Sequence, residues 1–148
     1  MEAETSMLLF LLILFWLTLV AVTSAAFILG GAPERTGMKI IVVGSVVSAV
    51  LASLPGRNPY ALDLWMLFSD SLVLGALGRL ALQSIRYWPM WATSFHAITV
   101  MTHVADLLAP NTVPTAYLIL QGFWVYPMFI AILLGIYGHR QALRHGGY

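Results

Sequence analysis

The sequence predicts an all-α fold: a polytopic transmembrane helix bundle of five spans, built as a single domain over residues 1–148. Three observations predict it. The first is composition: 60% of the residues are hydrophobic and only 9% are charged, against about one quarter charged in an average soluble domain, and the mean hydropathy is +0.88. The second is that the apolar residues fall into five runs, at about 7–30, 38–54, 60–84, 90–109 and 115–138. Each is within the roughly 17–25 residues that a helix needs to cross a bilayer core. The third is the placement of basic residues. With the N-terminus outside, Arg35, Lys39, Arg79, Arg86, Arg140 and Arg144 all fall on the inner side, and only Arg57 falls outside. In loops this short, that asymmetry sets the C-terminus inside.

The first span follows an acidic segment with Glu2 and Glu4. A secretory signal would carry a basic n-region and a shorter apolar core, so this run is read as a retained helix. Residues 31–37, with Pro33, Glu34 and Arg35, read as a short turn. The second span is the shortest. Gly44, Ser48 and Ala52 recur every four residues, as do Ser45, Ala49 and Ser53. Small residues at that spacing allow close helix approach, which predicts a helix packed inside the bundle. Pro55, Gly56 and Pro59 mark the next turn.

The third span carries Asp63 and Asp70 on one face and Ser71, Gly75 and Gly78 on another. A helix with both a charged face and a small-residue face is expected to touch at least two neighbours. Tyr87, Trp88 and Trp91 then form an aromatic cluster, expected to anchor the chain at the membrane interface. Pro89 suits the first turn of the fourth helix. A return turn at 110–114 leads to the fifth span, where Pro127 predicts a kink. A basic tail with His139, Arg140, Arg144 and His145 ends the chain. The spans share no internal repeat.

The third and fourth spans hold the groups that carry the functional question. Asp63 and Asp70 are seven residues apart, as are His96 and His103, so each pair shares a helix face at a separation of about 10 Å. Thr99 and Asp106 extend the histidine stripe. Ionisable groups at membrane depth are costly and mark a functional site unless they pair. The two spans run antiparallel and place His103 within about one turn of Asp70 in depth, making it the natural partner. Asp63, Asp70, His96, His103 and Asp106 are therefore the candidate intramembrane polar cluster, with Arg57 expected to neutralise the outer acids.

Several chemistries are excluded. The absence of cysteine removes disulfides, thiolate nucleophiles, Cys-ligated zinc and iron–sulfur clusters. The lone lysine, Lys39, sits at a helix edge rather than at the depth a retinal Schiff base needs. No nucleophile elbow, Walker loop, dinucleotide fingerprint or His-Glu-x-x-His pair is present, and no basic patch suits nucleic acid. His96 and His103 raise haem as a cofactor, but two histidines seven apart cannot bind one iron, so a partner helix would have to supply ligands. A metal site at His103, Asp106 and Asp63 or Asp70 is chemically sensible, but no spacing specifies it, and no metal or cofactor is expected.

The expected function is a non-catalytic accessory or structural subunit of a larger membrane assembly, not an enzyme. Its partners would be the bilayer and other membrane subunits or further copies of itself. The expected setting is a cell membrane, a bacterial inner membrane above all. Two alternatives stand beside it: a proton- or cation-coupled transport element using the Asp/His cluster, and a redox anchor carrying haem or quinone.

Overall fold

The computed structural model describes residues 2–55, 59–108 and 122–146. Among the described residues five helices follow one another: α1 (Glu2–Leu29), α2 (Ala32–Ser53), α3 (Pro59–Gln83), α4 (Trp88–Leu108) and α5 (Val125–Arg144). Among the described residues there is no strand. Three stretches, Thr5–Leu29, Ala32–Ser53 and Asp63–Gln83, are long and apolar enough to cross a membrane. Arg57, the return turn at 110–114 and the first part of the expected fifth span, 115–121, lie outside the described residues.

The helices close into a ring. Each packs on the next in sequence, α5 returns to α1, and a weaker α2–α5 contact crosses the middle. Short connections between α1 and α2 and between α3 and α4 make these neighbours antiparallel. The core lies toward the end where α1, α3 and α5 finish. It is built from Leu19, Val22 and Ala26 of α1, Met38 and Ile41 of α2 and Leu77 of α3. Trp88 and Ala92 of α4 meet Met128, Phe129, Ile132 and Ile136 of α5 in the same cluster. Phe15 stacks on Phe129 at 6.5 Å between ring centroids, fastening α1 to α5.

The structure differs from the sequence reading at several boundaries, each for a local reason. Residues 32–37 are not a turn but the first turns of α2. Gly31 caps the helix, Pro33 occupies one of its first positions, and the Glu34 carboxylate accepts from the Gly31 N–H at 2.8 Å. Proline and a reaching-back glutamate are what a helix start favours. The kink expected at Pro127 takes the form of an interruption: Phe123 is helical, Trp124 is a turn, and α5 starts at Val125. Pro127 then sits in a first turn, where its missing N–H breaks no helical bond. The basic tail continues as helix as far as Arg144.

Two small-residue faces behave differently. On α2, a side chain at Gly44 would come within 2.6 Å of Val73 of α3, so this glycine does permit close approach. On α3, Gly75 has nothing within 4 Å of a built Cβ, and Ser71 is exposed with its hydroxyl bonded to the Leu67 carbonyl. Gly78 of the same face does approach a neighbour: a Cβ there would lie 3.9 Å from the Thr93 side chain of α4. As a whole, α3 packs on both α2 and α4.

Candidate functional site

Asp70 stands near the middle of α3 and is engaged twice by α4. His103 Nε2 lies 2.9 Å from Asp70 Oδ2, with both side chains largely withdrawn from the surface. His96 Nε2 donates to the Asp70 backbone carbonyl at 3.0 Å. Helix geometry explains the division. Side chains lean toward a helix N-terminus while carbonyls point toward its C-terminus. On antiparallel helices, the histidine nearer the start of α4 therefore meets the carbonyl, and the one two turns later meets the carboxylate.

The five residues singled out from sequence form one cluster. Asp63 lies within electrostatic reach of Asp106 and His103, and His96 within reach of Asp70 and His103. The expected neutralising role of Arg57 falls outside the described residues. Among the described residues, no three His, Asp or Glu side chains converge to share a metal ion. Both histidines turn Nε2 onto Asp70.

The cluster faces open space. A cavity of about 430 Å³ enters the bundle here, and Asp70, His96, Thr99 and His103 line one side of it. Ser45, Ser48 and Ala52 of α2 line another, and Phe15 and Trp16 of α1 contribute aromatic surface. The small residues of α2 beyond Gly44 thus border a void rather than a neighbour's backbone. The volume is that of a small-molecule pocket: mostly apolar walls with a few convergent polar groups.

A second polar cluster, which the sequence reading did not single out, lies at the opposite end. Glu34 is fully buried. Its Oε1 accepts from Trp88 Nε1 at 2.8 Å, and its Oε2 accepts from the Gly31 N–H. Arg86 Nε stands 3.6 Å from Oε1. The same guanidinium donates to the Gly135 carbonyl at 3.4 Å and to His139 Nδ1 at 2.9 Å. Because a guanidinium only donates, His139 Nδ1 is the acceptor and carries no proton. The α1–α2 turn, the α3–α4 link and the end of α5 are thereby tied together.

Trp88 departs from its expected role as an interface anchor. It is 5% exposed, whereas Tyr87 and Trp91 are 80% and 62% exposed. Its indole fills space left by two glycines: a Cβ on Gly37 would stand 2.5 Å from the ring, and one on Gly135 would collide with it. The residue order Gly-Ala-Pro-Glu ahead of an apolar run is a helix-start signature, and it is the signal that points to Glu34.

No protein-family model, curated protein or solved structure matches the chain. Its class therefore rests on the fold: a helical bundle with three helices able to cross a membrane.

Proposed function

We propose that this chain is a five-span protein of the cell membrane, N-terminus outside and C-terminus inside, acting as a non-catalytic partner of other membrane proteins. The Glu34–Arg86–His139 contacts support the orientation. They gather at one end the segments carrying Arg35, Lys39, Arg79, Arg86, Arg140 and Arg144, the end that faces the cytoplasm under the positive-inside rule.

The observation that carries the partner role is a groove of about 730 Å³ between α4 and α5, walled by Trp91, Phe95, Ile130 and Leu134. Gly138 opens one end of it, with nothing within 4 Å of a built Cβ. Helices associate in lipid by close packing rather than by hydrophobicity, so a shaped groove beside a glycine suits a neighbouring helix. The test is purification from native membranes in mild detergent, followed by native mass measurement. The expected result is a defined complex that Gly138→Trp dissolves. A wild-type chain that always runs alone would sink the proposal.

A second reading has its own support in the cavity beside Asp70 and His103. A titratable pair that borders open space is placed to exchange protons or a cation with water, as a transport element requires. Purified protein in liposomes then shows pH-driven flux, and Asp70→Asn abolishes it without unfolding the bundle. Liposomes that stay silent under a proton or cation gradient remove this reading.

A further inference from the structure

We propose that the seam between α1 and α5 is a binding site for one anionic phospholipid of the inner leaflet. The inference rests on the membrane reading above, and two separate features of the seam carry it. The first is a pocket of about 370 Å³ at its inner end, where Arg35, Arg140 and Arg144 converge with His139. No acid lines the pocket. The nearby carboxylate, Glu34, is buried and already occupied by Trp88, Gly31 and Arg86. Among the described residues none of the three pocket arginines makes an ion pair. Because His139 Nδ1 accepts from Arg86, its ring N–H sits on Nε2 and adds a neutral donor. Three guanidinium groups and an imidazole N–H form a donor set suited to a phosphodiester.

The second feature lies farther along the same seam. A groove of about 450 Å³ runs between Leu17, Thr18, Ala21 and Val22 of α1 and Leu133 of α5, with almost entirely apolar walls. Sequence spacing aligns it with the pocket. Ile28, at the pocket, follows Ala21 by seven residues and Leu17 by eleven, and Arg140 follows Leu133 by seven. These separations return to one helix face. From Ile28 to Leu17 the rise is about 16 Å, roughly half of a hydrocarbon core of about 30 Å. A charged pocket at the interface and an apolar groove one leaflet deep match the head and acyl chain of a single anionic lipid. Basic pockets between transmembrane helices on the cytoplasmic side recognise such headgroups.

The test uses the full chain in mild detergent, with lipid binding read by native mass spectrometry against phosphatidylglycerol and phosphatidylcholine. Phosphatidylglycerol is expected to bind at one site and phosphatidylcholine far more weakly. Replacing Arg140→Gln together with Arg144→Gln removes two charges and weakens phosphatidylglycerol binding about thirtyfold. Arg79→Gln, a charge change at the same end but outside the pocket, leaves it unaltered. Ala21→Trp blocks the groove and weakens binding while the basic pocket stays intact. Glycerol 3-phosphate at millimolar concentration does not displace the lipid, which separates headgroup-plus-chain recognition from a bare phosphate site. Equal binding of the two lipids, an unchanged double variant, or displacement by glycerol 3-phosphate overturns the proposal. A chain that stays in solution without detergent overturns the membrane reading itself, a distinct result.

Discussion

The two ends of the bundle solve the problem of buried charge in opposite ways. At the end where α1, α3 and α5 finish, Glu34 has no exposed surface, and its oxygens are met by an indole, a backbone amide and a guanidinium. Trp88 and two glycines fill the space around it, and most of the apolar core surrounds the site. Toward the opposite end, Asp70 is also paired, but its partner His103 borders a cavity of about 430 Å³. One cluster is closed and holds three chain segments together. The other joins two helices and lines a cavity. A satisfied polar network in a packed site rigidifies a structure, whereas the same chemistry beside a cavity keeps its titratable atoms reachable.

That contrast is sharpest for Glu34→Ala. The variant leaves Trp88 Nε1 and the Gly31 N–H without their acceptor and Arg86 without its carboxylate. Removing one partner of a buried ion pair costs about 3 kcal/mol or more. Unfolding in mixed micelles is expected to show that loss, and a change below about 1 kcal/mol would show that the Glu34 end is not the stabilising one.

Next in size is Gly44→Leu, which drives a side chain into Val73 and is expected to cost about 2 kcal/mol by overpacking. Ser48→Leu, one turn along the same helix, faces the cavity and is expected to leave stability nearly unchanged while filling the space. Equal penalties for the two would mean that the cavity side is packed as tightly as the Glu34 end.

A smaller effect is expected at the open cluster. His103→Leu leaves the Asp70 carboxyl without its partner, at a cost of about 1–2 kcal/mol. Adding Asp70→Leu recovers part of that loss, as a double-mutant cycle measures. A penalty matching that of Glu34→Ala would erase the difference between the clusters. Smallest of all is Gly75→Ala, where a Cβ meets nothing within 4 Å. Helix propensity then favours alanine by about 0.5–1 kcal/mol, so a loss of stability would reveal a contact on that face.

The sequence by itself determined the helical class, because five apolar runs separated by breakers leave the backbone few other ways to satisfy its hydrogen bonds. It also determined the pairing of Asp70 with His103. Both are unusual residues within apolar runs, and the short α3–α4 link makes the two helices antiparallel, so their relative height follows by arithmetic alone. The tertiary structure decided what depth cannot: which side of each helix faces a neighbour. Glu34 and His139 read as turn and tail residues until the fold brings distant segments together, because their partners, Trp88 and Arg86, are 54 and 53 positions away respectively. Trp88 carries the composition of an interface anchor, and only the hollows at Gly37 and Gly135 turn it inward. The small residues of α2 and α3 share one spacing pattern, yet Gly44 meets Val73, Ser48 borders a cavity and Gly75 meets open space. Periodicity specifies a face. What that face meets depends on how the other helices fill a fixed volume, and that is a property of the whole ring.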